Sequence, residues 1–263
     1  MFPVYLFIFL LGLIVGSFLN VVIYRYNTGR SVSTGRSQCF SCSHTLSWYE
    51  LVPLFSFLLQ GGRCRACKSK ISWQYPAVEL ASGALFVLIF QHFLGATLGK
   101  PLFLLYAIIF SLLLVITVYD LRHKIIPDGL VYAFSLFALI SAYLASTSSA
   151  DVNFSSHILA GLVAFSFFAL LWYISSGRWM GFGDAKLALG VGFLLGPAGA
   201  LSAIVSAFWL GAVVGVMLMI ISQLSQRGKS LTMKSEIPFA PFIILGLALN
   251  FFCHFYVSSL FQF

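Results

Sequence analysis

The chain is poor in charge. Of its 263 residues only 8% are Asp, Glu, Lys or Arg, where a soluble domain carries about 25%. With 60% hydrophobic residues arranged in long runs, that deficit excludes a water-soluble enzyme built on one large core. It leaves a polytopic membrane protein. Acids are scarcer still, seven against 15 Lys and Arg for a net charge of +8. The first 24 residues carry no charge at all. They lack the basic start of a signal peptide and no small-residue cleavage site follows, so they read as a retained membrane helix. No repeat stands out. Nor does any strand, Gly-rich loop and helix succession suited to a nucleotide.

The apolar runs are Phe2–Tyr24, Pro76–Leu94, Pro101–Tyr119, Gly129–Ala145, His157–Ser175, Ala185–Leu195, Ala200–Ser222 and Phe239–Leu260. Most can cross a hydrocarbon core of about 30 Å as helices. The Ala185–Leu195 run is short and ends in Gly196-Pro197-Ala198-Gly199. That is a turn signal, so this helix is expected to turn back into the next. The expected fold is therefore an all-α polytopic membrane protein. It has about eight transmembrane helices and a polar loop after the first. The expected division is 1–24, the first helix; 25–75, a cytoplasmic metal-binding loop; and 76–263, the remaining membrane helices.

The basic residues orient these helices. Seven of the 15 lie between Arg25 and Lys70. With that loop inside, Arg122, Lys124, Arg178, Lys186, Arg227, Lys229 and Lys234 fall on the same side, and Lys100 alone falls outside. Such a bias follows the positive-inside rule rather than a nucleic-acid footprint. It places the loops bearing Asp120 and Asp184 on the cytoplasmic face.

In the first helix Gly12, Gly16 and Asn20 share one face, and small residues at this spacing admit a close neighbouring helix. Asn20 is expected to bond across that contact. In the polar loop, Trp48–Leu59 is strongly apolar but only 12 residues long. It is too short to span and is expected to be buried or interfacial.

The same loop carries Cys39-x2-Cys42, 21 intervening residues, then Cys64-x2-Cys67. Each Cys-x-x-Cys presents two thiolates to one ion, and two such turns complete a closed tetrahedral zinc site. A reducing cytoplasm disfavours the alternative of disulfides. Arg63, Arg65, Lys68 and Lys70 would offset the charge of a zinc tetrathiolate. The fifth cysteine, Cys253, lies in the last apolar run and is expected to be a buried apolar residue.

Each of the seven acids can be weighed. Asp151 is expected in an external loop, Glu236 in a basic loop and Glu50 at the polar edge of the apolar loop segment. Asp128 follows Pro127 and is explained as a helix cap. Glu79 suits the first turn of its helix. Asp120 instead ends a long uncharged helix, and Asp184 begins one after Gly181 and Gly183, whose lack of side chains admits close approach. A facing pair of carboxyls can share one proton, one acting as base toward water while the other donates to a carbonyl. The helix dipole favours Asp184 as the ionised member. The alternatives are a proton- or cation-coupled transporter using Asp120, Asp184 and Glu79, and a non-catalytic scaffold. A transporter would spread its acids through several spans near the midplane.

Several segments together carry a family resemblance. They are Gly16-Ser-Phe-Leu-Asn-Val-Val-Ile-Tyr-Arg25, Gly35-Arg-Ser-Gln-Cys-Phe-Ser-Cys42, Leu51-Val-Pro-Leu-Phe-Ser56, Gly62-Arg-Cys-Arg-Ala-Cys67, Tyr75-Pro-Ala-Val-Glu-Leu80, Asp120 through Pro127-Asp128, Gly181-Phe-Gly-Asp-Ala-Lys-Leu187 and Ile237-Pro-Phe-Ala-Pro-Phe242. In this order they resemble the type IV prepilin leader peptidases, bacterial inner-membrane aspartic proteases of the Gly-x-Gly-Asp class that serve type IV pili and type II secretion. The resemblance implies catalytic Asp120 and Asp184 and a zinc site at Cys39, Cys42, Cys64 and Cys67. It implies cleavage of prepilin or pseudopilin leaders at the cytoplasmic membrane face. It also implies methylation of the new amine from S-adenosylmethionine, as in bifunctional members with a full cysteine loop. Phe40 stands where many members have Pro and Ala240 where many have Gly, and neither is expected to touch a ligand or catalytic acid. An acidic contact such as Glu79 or Glu50 is the expected partner for a basic residue of the leader.

Overall fold

The computed structural model describes residues 2–95, 99–148, 152–224 and 238–255. Asp151, Glu236, Arg227, Lys229, Lys234 and the end of the last apolar run lie outside the described residues. Among those described there is no strand, and the protein is all-α. The helices are α1 (Phe2–Arg25), α2 (Phe55–Leu59), α3 (Gln74–His92), α4 (Gly99–His123), α5 (Asp128–Ser148), α6 (Phe154–Ser175), α7 (Phe182–Leu224) and α8 (Ala240–Cys253). A single 3-10 turn, Trp48–Leu51, precedes α2. α1, α4, α5, α6 and α7 are long and apolar enough to cross a membrane, so the chain is a multi-pass membrane protein. It divides into two compact units, Met1–Val115 and Ile116–Phe263.

In the first unit α1 and α3 run antiparallel at close range. A Cβ on Gly12 would lie 2.7 Å from the Gly83 Cα, and one on Gly16 would lie 2.8 Å from the Glu79 Cα. The two glycines thus let two backbones touch, as the small-residue face predicts. One turn further along, Asn20 donates to the Tyr75 carbonyl at 3.2 Å and accepts from Gln74 Nε2 at 3.3 Å. These contacts share one register, since the paired numbers 12 and 83, 16 and 79, and 20 and 75 each sum to 95. Asn20 is therefore a bond between helices, as expected.

Glu79 differs from expectation. It lies in the second turn of α3, not the first, and is buried. One of its oxygens accepts the Leu54 amide at 2.9 Å, and the Ser17 hydroxyl also bonds its carboxylate. Leu54 has φ 60° and ψ −50°, a conformation costing a non-glycine residue on the order of 1–3 kcal/mol. A charge-assisted bond from Glu79 helps hold it there.

The second unit is organised by a reversal inside α7. A straight 43-residue helix would be about 64 Å long, roughly twice the hydrocarbon thickness. At Gly196, however, the backbone leaves the helical region (φ 68°, ψ −173°), and Pro197 follows. Contacts with α6 show the consequence. Phe182 packs on Trp172, His157 Nδ1 donates to the Phe193 carbonyl at 2.9 Å, and Phe208 stacks on Phe168. The chain thus travels along α6 from its C-terminal to its N-terminal end, then returns. A Cβ on Gly196 would meet the His157 ring at 2.9 Å, so the turn needs glycine for space as well as for its positive φ. The expected helix ending near Leu195 and turning back is what forms.

The neighbours follow from this hairpin. α5 lies beside the outgoing arm, with Phe134 and Ser135 against Gly190. α8 lies antiparallel to the returning arm, Gly246 against Ala203 and Asn250 against Gly199. Phe134, Phe168, Leu187, Ile243 and Leu247 are fully buried between them. Cys253 ends α8 exposed rather than buried, because it sits past the last turn that faces the returning arm.

Candidate active site and metal centre

One end of the second unit gathers the close of α4 and the starts of α5, α7 and α8. Asp120 and Asp184 both lie there, 4% and 5% exposed. Their carboxylates are near enough to repel one another. In a chain with seven acids, two buried carboxylates this close make this end the candidate active site, because burying like charges together opposes folding. Asp184 is the third residue of α7, and the Gly181 amide bonds its carboxylate. Asp120 accepts the Ala240 amide, while its Oδ2 has no hydrogen-bond partner in the protein.

Ala240 corrects one expectation. The residue does touch a proposed catalytic acid, although through its backbone N–H. Alanine serves as well as glycine there. The same bond weakens the expected asymmetry between the two acids. Asp120 closes one helix but faces the N-terminal amides of another, so each carboxylate meets the positive end of a helix.

The two glycines before Asp184 also differ from each other. A Cβ on Gly183 would lie 2.8 Å from Ile126 Cβ, whereas one on Gly181 would meet nothing closer than Asp184 Oδ2 at 3.9 Å. Only Gly183 is required for close approach. Ile126, in the link between α4 and α5, is the neighbour that explains it. Asp128 is the first residue of α5 and has a partner that its place in sequence did not reveal. Its Oδ1 pairs with Lys186 Nζ at 2.8 Å, and that ammonium also lies over the Tyr132 and Phe182 rings at 5.6 and 5.3 Å. Lys186 thus ties the start of α7 to the first turn of α5.

The first unit carries the cysteine cluster. The four Sγ atoms of Cys39, Cys42, Cys64 and Cys67 lie within 4.8 Å of one another. The Cys39 and Cys67 sulfurs are 3.9 Å apart, close to the edge of about 3.8 Å of a tetrahedron with 2.3 Å metal–sulfur bonds. Two backbone knuckles of the same design present them. In one, Ser43 N donates to the Cys39 carbonyl and Cys39 N to the His44 carbonyl, both at 2.9 Å. In the other, Lys68 N donates to Cys64 O at 2.9 Å and Cys64 N to Ser69 O at 2.8 Å. Ser43 and Lys68 take the matching left-handed positions, φ 57° and 60°. Bridges Gln38–Thr45 and Arg63–Lys70 close each knuckle. The chain has no evident sequence repeat, yet it repeats this backbone 25 residues on.

The sulfurs favour a cation between them. The Ser41 amide, with further donors including the Ser69 hydroxyl, holds the Cys39 thiol down to about 6. Cys42 receives the His44 amide but is pushed up to about 12 by desolvation and by the adjacent Cys67, Cys39 and Cys64 sulfurs. Thiolates this crowded cannot all ionise alone, and a bound metal ion removes the conflict. The cluster can hold a metal. Glu50 is buried beside it rather than at a polar edge. It accepts the Ser47 amide at 2.9 Å and lies 3.6 Å from His44 Nε2.

Comparison with known proteins agrees with this two-part layout. Residues 10–93 match the model of the Bacterial Peptidase A24 N-terminal domain, and residues 107–216 match the Type IV leader peptidase family. The chain is 32% identical to the prepilin leader peptidase/N-methyltransferase of Bacillus subtilis, over 93% of this chain and 92% of that one. It belongs to the type IV leader peptidase family. Another member, from Klebsiella pneumoniae and of the same name, is 35% identical over 72% of this chain and 84% of its own. One from Myxococcus xanthus is 34% identical over 81% of this chain and 63% of its own. No solved structure matches the chain significantly. Sequence reasoning missed Ser17, Leu54, Ile126, Lys186 and the Ala240 amide. None has a local pattern, although the conformational demand on Gly183 pointed to some close neighbour.

Proposed function

We propose that this chain is an aspartic endopeptidase that removes the leader of a type IV prepilin or pseudopilin and then N-methylates the new N-terminus. The observation that carries the reading is the pair of adjacent buried carboxylates, Asp120 and Asp184, at one end of the helix bundle. One carboxylate takes a proton from water while the other, protonated, donates to the scissile carbonyl oxygen. The resulting gem-diol intermediate collapses, the C–N bond breaks, and the departing amine recovers a proton from the dyad. The Gly181 and Ala240 amides fix the two carboxylates for this exchange. The charge asymmetry of the loops supports a cytoplasmic position for that end, and in this reading the membrane is the bacterial inner membrane, where a prepilin presents its basic leader.

In the same reading Cys39, Cys42, Cys64 and Cys67 hold one structural zinc ion. Four thiolates leave it no open position, so it organises the loop and supplies no reaction step. Glu79 and Glu50 each accept a backbone amide within the loop, so both serve this architecture. The methyl donor implied by the relatives' names is S-adenosylmethionine, which supplies a sulfonium methyl group. Among the described residues there is no strand and hence no strand, Gly-rich loop and helix site for it, and we assign no residue to it.

Co-expression with a prepilin tests the proposal. The wild type is expected to shorten the substrate by its leader and to add the mass of one methyl group to the new N-terminus. Absence of cleavage, or unchanged cleavage by both Asp120→Asn and Asp184→Asn, overturns it.

A further inference from the structure

The apolar segment Trp48–Leu59 is absorbed neither by the metal cluster nor by the acid pair. Its large side chains face outward. Trp48 is 79% exposed, Leu58 72% and Leu59 87%, with Phe55 and Trp73 also exposed. In water such a patch would be unfavourable. Its depth relative to α1 is fixed by bonds already described. The Leu54 amide is held by Glu79, whose carboxylate also takes the Ser17 hydroxyl of α1. Ser17 lies eight residues before Arg25, the charged end of α1, or about 12 Å along the helix. Leu54 therefore sits below the level at which α1 meets the headgroups.

Backbone at that depth must satisfy its own polar groups, and the amides from Leu54 onward largely do. Leu54 N donates to Glu79, Phe55 N to Pro53 O, Ser56 N to Val52 O, Leu58 N to Leu54 O and Gln60 N to Ser56 O. Phe57 is the residue turned inward, packing on Trp73 and under Gly62. Gly62 leads directly into the knuckle carrying Arg63, Arg65, Lys68 and Lys70, whose charges suit lipid phosphates at the rim.

From this geometry we infer that residues 48–59 form a foot inserted into the boundary between headgroups and acyl chains of the leaflet beside α1 and α3. The occupant of the exposed face is lipid. Trp48 and Trp73 lie at its edge as interfacial anchors, while Leu58 and Leu59 enter the acyl region. Glu79 is the tether that sets the depth, and it joins the metal-binding loop to the membrane plane.

The test uses the full chain in vesicles of phosphatidylethanolamine and phosphatidylglycerol. Leu59→Trp is placed in a background where the five native tryptophans are Phe. The expected result is blue-shifted emission, quenched roughly twofold or more by lipid brominated near the headgroup and little affected by aqueous iodide. Iodide quenching without bromolipid quenching puts the segment in water and overturns the inference. Shielding from both quenchers means that protein covers it, and overturns the inference as well. If the tryptophan-free background fails to fold, Trp48→Phe is compared with wild type. Loss of a bromolipid-quenched component is then expected, and an unchanged quenched fraction overturns the inference.

Discussion

The cysteine cluster and the aspartate pair solve the same electrostatic problem by opposite means. In the cluster, four potential anions converge through two short knuckles, each closed by local backbone bonds. An ion from outside, which the cluster can hold, would relieve their repulsion. In the acid pair, two carboxylates 64 positions apart converge only because helices from distant parts of the chain end at one place. Their repulsion is met by amides at helix starts and, in the proposed mechanism, by a shared proton. The first arrangement is built from sequence spacing, and the second depends on the packing of four helices. The first should therefore fail locally and the second cooperatively.

The largest expected effect is on the cluster. Structural zinc contributes on the order of 10–16 kcal/mol in small zinc peptides. Changing Cys39 and Cys42 together to Ser should release the metal and open residues 36–70 to protease while the helical circular dichroism persists. Metal analysis and limited proteolysis check this, and global loss of helix would show that the two regions are not separable.

Next comes the acid pair. Asp120→Asn and Asp184→Asn should each lower leader cleavage by about 10³-fold or more, and the double variant little further, because members of one catalytic unit are not additive. The metal content should stay unchanged. Additive losses in single-turnover cleavage would break the dyad into two independent sites.

A smaller effect separates the two glycines. Gly183→Ala must push Ile126 away, and a misplacement approaching 1 Å costs up to about 10²-fold in rate. Gly181→Ala meets only ordinary contacts at 3.9 Å and should retain most activity. Equal losses at both positions would mean that substrate contact, not packing, governs the motif.

The smallest effect is at Lys186. Lys186→Met removes a pair with a half-exposed Asp128 carboxylate, worth up to about 1 kcal/mol. Thermal unfolding in detergent should shift by a few degrees at most. A large loss of cleavage without a stability change would show that Lys186 acts on the acid pair rather than on helix packing.

These contrasts also explain what was readable in advance. The helix order was legible because long apolar runs in a charge-poor chain have one use. Gly12, Gly16 and Asn20 betrayed a contact face because helical periodicity aligns them. Gly196-Pro197 marked the reversal in α7 because no uninterrupted helix passes through that pair. Asp128, Glu79 and Cys253 were misjudged. Each was assigned from its neighbours in sequence, whereas its partner or its exposure depends on elements far along the chain.

The sequence by itself determined that the chain crosses a membrane, that four cysteines can meet around one ion, and that Asp120 and Asp184 are the acids most in need of a purpose. Those conclusions rest on composition, spacing and periodicity, which are local. Only the tertiary structure decided that the Ala240 amide serves Asp120, that Ile126 requires Gly183, and that Glu79 holds Leu54 in its strained turn. A backbone amide is chemically the same at every non-proline position, so no residue type announces which one will be used. Packing alone makes that choice, by bringing one helix start or one strained turn within reach of a buried carboxylate.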